Sequence, residues 1–222
     1  MILKTEQLGF WYQNNQPLFQ DVNLNFEAGK IYAILGSSGS GKTTFLSLIA
    51  GLETPKEGTI YYQDQAIKQL GLQNYRRKGV SIVFQSYNLL PYLSALDNVL
   101  TAMAICQSQQ ADHRSYALAN LEKVGITEEL AHKKVNQLSG GQQQRVAIVR
   151  ALCCEHNLIV ADEPTGNLDE KTSQEIVRLF QEIAHQQNKC IILVTHEREV
   201  AKACDVVYEL KHQAFQLIDV SA

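Results

Sequence analysis

Gly36-Ser37-Ser38-Gly39-Ser40-Gly41-Lys42-Thr43 satisfies the pattern GxxxxGK[ST]. The pattern carries chemical meaning only where a buried strand precedes it and a helix follows. Both flanks comply. Residues 30–35 form an apolar run suited to a strand covered on both faces of a parallel sheet, and residues 42–50 read as a helix stopped by Gly51. The glycines let successive backbone N–H groups turn inward, making an anion nest at a helix N-terminus. In such a cradle the backbone from Gly36 to Gly41 surrounds phosphate oxygens. Lys42 then places a point charge on the β- and γ-phosphates, the Thr43 hydroxyl ligates Mg²⁺, and Thr44 reaches the α-phosphate. At average glycine usage the pattern arises by chance in roughly one chain of this length per hundred, and the strand–turn–helix context makes chance rarer still.

Working outward, similar buried strands are predicted at residues 80–84, 158–161 and 190–195, with a long helix at 173–187. Strands alternating with helices indicate an α/β fold with a mostly parallel sheet. Upstream, Val22, Leu24 and Phe26 alternate with Asn23 and Asn25, the period of a half-buried strand. An earlier apolar stretch, residues 8–12, is separated from it by the turn former Asn14-Asn15-Gln16-Pro17. This predicts an antiparallel hairpin, joined later by residues 59–63. Between residues 86 and 154 there is no strand signal. Residues 94–105, 111–124 and 142–152 carry helical periodicity instead. One domain over 1–222 is expected. A P-loop core and an antiparallel β subdomain would occupy about 1–85 and 155–222, with a helical lobe inserted at about 86–154.

A second chemical feature is Leu158-Ile159-Val160-Ala161-Asp162-Glu163, an apolar strand ending in two acids. Ligands of parallel sheets bind at the carboxyl ends of strands, which places this pair beside the phosphates. Asp162 is expected to orient Mg²⁺ through its water shell, since that ion gives up water reluctantly. Glu163, one residue on, is placed to polarise an attacking water. No N/T-K-x-D segment is present, so guanine recognition is not indicated.

The bulk numbers limit the alternatives. The chain has 222 residues, 45% hydrophobic and 19% charged, with a formal net charge of -3, and so offers no electrostatic case for nucleic acid. Arg76-Arg77-Lys78 reads as a solvated basic loop. Five cysteines without a CxxC read as buried, reduced thiols, pointing to a reducing compartment. No secretory leader is recognisable at the N-terminus, and no apolar run approaches the ~20 residues that span a bilayer.

Leu138-Ser139-Gly140-Gly141-Gln142 stands just before a helix and shortly ahead of the acidic strand. Ser139 can cap that helix, and the N–H groups of Gly140 and Gly141 offer a second phosphate site. LSGGQ is the signature of ABC transporter ATPases, and the chain resembles that family throughout its length. The resemblance implies that Ser139, Gly140, Gly141 and Gln142 bind the γ-phosphate of ATP held by a second cassette. One motif set per chain then requires a homodimer with two ATP sandwiched between the copies. It also implies that Gln85 is the Q-loop glutamine, contacting Mg²⁺ and the water. Asp169 of Asn167-Leu168-Asp169 is implied as the acid of a D-loop across the dimer interface, and His196 as the switch histidine near the γ-phosphate. Catalysis would rest on Glu163, His196 and Gln85. Tyr12 fits the spacing of the adenine-stacking aromatic, with Trp11 as the competitor.

Finer motifs point within the family. Gly166-Asn167 ahead of Leu168-Asp169, Phe84-Gln85-Ser86-Tyr87-Asn88-Leu89-Leu90-Pro91 and Ser94-Ala95-Leu96-Asp97-Asn98-Val99 are similar to the MacB, lipoprotein-release and FtsE-like group. Val149 and Cys153-Cys154 depart from the small residues usual after the signature. That group implies a separate permease, MacB- or FtsX-like, with few transmembrane helices and a large extracytoplasmic domain, and an extracytoplasmic adaptor beyond it. It places the chain in the cytoplasm, peripheral on the membrane through its permease. Export or extraction of antimicrobials, peptides or lipoproteins is the implied task. The alternative is force transmission through a permease without a transported substrate, as in FtsE-like proteins.

Overall fold

The computed structural model describes residues 1–12 and 16–219. Strand β1 (Leu3–Phe10) pairs antiparallel with β2 (Phe19–Val22), Leu8 opposite Val22, and with β3 (Asn25–Phe26). The expected hairpin is therefore present; Asn14 and Asn15 of its turn lie outside the described residues. The strand expected through Val22, Leu24 and Phe26 is broken in two by a side chain. The Thr5 hydroxyl donates to Val22 O and accepts from Leu24 N–H, both at 2.9 Å, replacing ladder bonds with its own.

Next come β4 (Ile31–Leu35), all five residues buried, and α1 (Lys42–Ile49), close to the predicted bounds. β5 (Glu57–Tyr62) joins β1 antiparallel and β6 (Gln65–Ala66) extends it at the edge. Gly58 in β5 sits at φ +75°, where a Cβ would stand 2.3 Å from both the Gln7 and Glu6 carbonyl oxygens. A left-handed backbone alone costs a non-glycine residue on the order of 1–3 kcal/mol. Gly58→Ala is expected to lose at least that much stability, read as a lowered urea midpoint at unchanged slope. An unaltered midpoint would show that the β1 crossing relaxes freely.

Two short helices, α2 (Ile67–Leu70) and α3 (Leu72–Lys78), follow. They correct one expectation: Arg76-Arg77-Lys78 is not a loop but the last turn of α3. Cations there complement the helix dipole, and Arg76 Nη1 donates to Gly51 O at 2.5 Å. After β7 (Val80–Val83) come the predicted helices, α4 (Ala95–Cys106) and α5 (His113–Lys123), then a one-turn α6 (Glu128–Ala131), a 3-10 turn at Val135–Gln137 and α7 (Gly140–Leu152). Among the described residues the only strand-like pairing between 86 and 154 is a single bridge, Ser94 to Lys134. Side-chain caps fix the starts: Ser94 accepts from Asp97 N–H and Asp112 from Ser115 N–H. Leu96, Val99, Met103, Leu121, Val146 and Val149 give these helices a core of their own.

β8 (Leu158–Asp162), α8 (Glu170–Gln186), β9 (Cys190–Thr195), α9 (Arg198–Lys202), β10 (Val206–Lys211) and β11 (Ala214–Ile218) complete the described chain. The main sheet has the order β11-β10-β4-β9-β8-β7 and is parallel except at β11. α1 packs with the antiparallel sheet on one face, and α7 and α8 cover the other. Register does the positioning. Leu35 lies opposite Thr195, Asp162 opposite Val194 and Val83 opposite Ala161, so four strands end on one line. The phosphate loop, Glu163, His196 and Gln85 each leave the sheet at that line.

Candidate functional site

Gly41, left-handed at φ 106°, begins α1 with no side-chain cap, so the first N–H groups of the helix are left for a ligand. Gly36 is required on the other side of the turn: a Cβ there would meet Ser40 Oγ at 2.8 Å and Leu210 O at 2.9 Å. Lys42 is only 5% exposed and its ammonium donates to Gly36 O and Ser37 O, both at 2.9 Å. It has folded onto the loop's own carbonyls. Burial lowers its pKa, partly offset by the charges of Glu163 and Asp162. The Ser40 hydroxyl is buried with no hydrogen-bond partner among the described residues. A buried donor without an acceptor inside a nest of N–H groups suits a phosphate oxygen.

The acidic pair stands alongside. Thr43 Oγ1 lies 3.3 Å from Asp162 Oδ1, and burial raises the Asp162 pKa even against that hydrogen bond. A hydroxyl, a half-buried carboxylate and the nearby Gln85 amide are hard oxygen donors, and they fit Mg²⁺. Glu163 is itself left-handed (φ 42°), held there by its N–H to Val194 O at 2.9 Å. Its Oε1 meets His196 Nδ1 at 3.1 Å. Gln85 closes the circle: its carbonyl accepts from Asn167 Nδ2 at 3.3 Å, and its Nε2 would be 3.0 Å from a Cβ on Gly166. No larger residue fits at 166 without moving the glutamine.

A cavity of about 290 Å³ at the loop is lined by Tyr12, Leu18, Ser38, Gly39, Gly41, Lys42, Thr43, Thr44 and Glu163. Tyr12 is 64% exposed, and its hydroxyl is 2.8 Å from Thr44 Oγ1. Trp11 does not line this cavity. Leu18 was not anticipated from the sequence; it comes from the strand-entry segment brought over α1 by the hairpin.

The signature lies elsewhere. Ser139 Oγ accepts from Gln142 N–H (3.3 Å) while Gln142 Oε1 accepts from Ser139 N–H (2.9 Å), a reciprocal cap at the start of α7. None of residues 138–142 lines the phosphate cavity. Both glycines are packed from behind: a Cβ on Gly140 would lie 3.0 Å from Tyr87 Oη, and one on Gly141 2.8 Å from Thr172 Cγ2. Asp169 caps α8 through Thr172, accepting from its N–H at 3.0 Å and its hydroxyl at 2.7 Å, which holds its pKa low. Sequence reasoning also missed Arg150, whose guanidinium holds the Tyr87 and Asn88 carbonyls (2.9 and 2.5 Å) directly behind Gln85. An arginine on an apolar helix face was its only sequence trace.

A parallel sheet with a phosphate cradle at the end of one strand and an acid pair at the end of another defines a P-loop NTPase. The family pattern described as "ABC transporter" matches residues 19–166. The chain is 58% identical over 215 residues to the uncharacterized ABC transporter ATP-binding protein YclH of Bacillus subtilis (strain 168), covering 96% of this chain and 95% of that one. It is 39% identical over 200 residues to the lipoprotein-releasing system ATP-binding protein LolD of Rickettsia bellii (strain RML369-C), covering 90% and 89%. A dimeric post-hydrolysis state of the ATP-binding cassette MJ0796 bound to ADP and Pi superimposes with a TM-score of 0.87 at 34% identity, covering both chains fully. The chain belongs to the ABC transporter ATP-binding family and is an ATPase of that class. Among the described residues no helix is long and apolar enough to cross a membrane. Cassettes of this family dimerise and pair with a membrane permease.

Proposed function

We propose that this chain is the motor of a MacB-like export or extraction system. Two copies would close on two ATP molecules and drive a separate permease from the cytoplasmic face. Substrates would be antimicrobials, peptides or lipoproteins. The observation that carries the composite site is that the phosphate cavity lacks every signature residue of its own chain. An ATP held by Lys42 and the loop N–H groups leaves its γ-phosphate open toward solvent, where a second copy's Ser139–Gln142 loop can cover it. The MJ0796 cassette, similar over its full length, is a dimer. Similarity to LolD supports the extraction reading.

Catalysis in this reading is positioning and charge stabilisation. Lys42 exchanges its two loop carbonyls for phosphate oxygens. Glu163, fixed by Val194 and His196, accepts the proton of the attacking water. His196 also donates toward the γ-phosphate, and Gln85 holds the water's other side. Thr43, Asp162 and Gln85 would hold Mg²⁺, which neutralises phosphate charge when bound. Tyr12 leaves Thr44 to stack on adenine, freeing the Thr44 hydroxyl for the α-phosphate.

The experiment is purification of the tagged chain from native membranes in mild detergent, identification of the associated membrane protein, and ATPase assay of the pair in lipid. A permease with few transmembrane helices and a large ectodomain, able to stimulate turnover, is expected. An importer permease with many helices and no ectodomain would overturn the subgroup assignment. A partner for cell-wall hydrolases would replace export with force transmission.

A further inference from the structure

Five cysteines, all free, are distributed unevenly in chemistry as well as in space. Cys153 and Cys190 are fully buried, and burial pushes both thiols up to about 12, as it does for Cys204. At neutral pH these three carry almost no thiolate and are inert. Cys106 and Cys154 differ. Cys106 is the last residue of α4, and Cys154 follows the cap of α7. Their side chains converge on adjacent carbonyls of α4: Cys106 Sγ lies 3.6 Å from Met103 O, and Cys154 Sγ 3.8 Å from Ala102 O. The two thiols are near enough for each to shift the other's titration.

Both line a groove of about 370 Å³ between the helical lobe and the edge of the main sheet. Arg76, Arg77 and Arg150 line the same groove and make it electropositive. Cys106 is half-buried, so a small reagent can reach it, and the neighbouring Cys154 thiol draws its pKa below the usual thiol value. The Glu155 carboxylate opposes this, but it is occupied by Ser108 Oγ, Gln109 N–H and Gln110 Nε2. The same contact raises Cys154, keeping it protonated. Cys106, the less enclosed of the two and at the open end of its helix, is the thiol a reagent meets first, and Cys154 on the same groove wall is placed to resolve it.

We propose that Cys106 and Cys154 form a peroxide-oxidisable dithiol site on the wall of this groove. In the first step the Cys106 thiolate attacks hydrogen peroxide. The O–O bond breaks, an S–O bond forms, and the departing hydroxide takes up the thiol's proton as water. Sulfur is oxidised by two electrons and peroxide reduced by two. In the second step Cys154 attacks the Cys106 sulfenic acid, the S–O bond breaks, an S–S bond forms and a second water leaves. The sum is two thiols and one peroxide giving one disulfide and two waters. A disulfide holds its sulfurs about 2.05 Å apart, so the two must draw together to bond. Cys106 ends its helix, and Gln107 beyond it is already left-handed (φ 57°), so the adjustment falls on the weakest part of α4. The disulfide would staple the ends of α4 and α7. It would also stiffen the wall that carries Arg150, and this chemistry does not rest on the catalytic roles proposed above.

The test is titration of the reduced full chain with hydrogen peroxide, followed by intact-mass analysis and non-reducing peptide mapping. The expected product is lighter by about 2 Da per chain, is linked Cys106 to Cys154 within one chain, and reverts with dithiothreitol. Cys154→Ser should stop at a sulfenic acid on Cys106 that dimedone captures. Cys106→Ser should slow peroxide consumption roughly tenfold. Both variants are checked for ATP binding to exclude misfolding. Oxidation spread evenly over the five cysteines, or crosslinks formed only between chains, would overturn the site. So would Cys106→Ser reacting at the parent rate.

Discussion

Glu163→Gln should bind ATP, accumulate as a nucleotide-sandwiched dimer and lose turnover by on the order of 10²–10⁴-fold, the range that removal of a general base produces. The structure explains why loss of chemistry need not mean loss of the site. Glu163 is held in its left-handed turn by its own N–H to Val194 O, a bond the amide variant keeps. The glutamine amide can still meet His196 Nδ1, where Glu163 Oε1 now lies at 3.1 Å. What disappears is the proton acceptor and one negative charge beside the polyphosphate. The first change stops hydrolysis, and the second relieves repulsion in the ATP-bound closed form, so the sandwich should persist. Size-exclusion chromatography with and without ATP reads the dimer, and phosphate release reads turnover. Hydrolysis at the parent rate would remove Glu163 from the role of base.

Much of this site is legible in the sequence because its chemistry is local along the chain. The phosphate loop needs particular glycines in consecutive positions, and β4 and β8 announce themselves as apolar runs ending where the chemistry begins. The distances between these pieces were not legible as such. They follow from strand register, Leu35 opposite Thr195 and Asp162 opposite Val194, which is set by pairing across the sheet. Tertiary supports were hidden for the same reason. Tyr87 behind Gly140, Thr172 behind Gly141 and Arg150 on the carbonyls after Gln85 join segments far apart in the chain. The break between β2 and β3 was missed because one hydroxyl, Thr5, competes with the ladder, and alternation of apolar residues does not register such competition. The β10–β11 hairpin escaped notice because β11 is an edge strand with little burial to impose a pattern. Arg76-Arg77-Lys78 misled because charge signals exposure but not secondary structure; the same residues serve the end of α3.

Ser139→Arg separates the two halves of the composite site. Its expected result is turnover reduced by at least about a hundredfold, roughly 2.7 kcal/mol of lost transition-state stabilisation, with ATP binding to the isolated chain unchanged. Ser139 and its neighbours contribute nothing to their own chain's phosphate cavity, so the loading of ATP has no reason to change. The cross-dimer contact is different, because backbone N–H groups reach a phosphate only at hydrogen-bond distance, near 3 Å. An arginine projecting from the start of α7 keeps the two faces further apart than that. Gly140 and Gly141 cannot retreat to make room, since Tyr87 Oη and Thr172 Cγ2 stand directly behind them. The substitution also removes a helix cap, worth about 0.5–2 kcal/mol, so Ser139→Ala is the necessary control. The alanine variant loses the cap without adding bulk and should keep substantial turnover and ATP-dependent dimerisation. If both variants lost activity equally, the effect would belong to the cap. If Ser139→Arg abolished nucleotide binding by the lone chain, the signature would serve its own ATP and the two-chain site would be wrong.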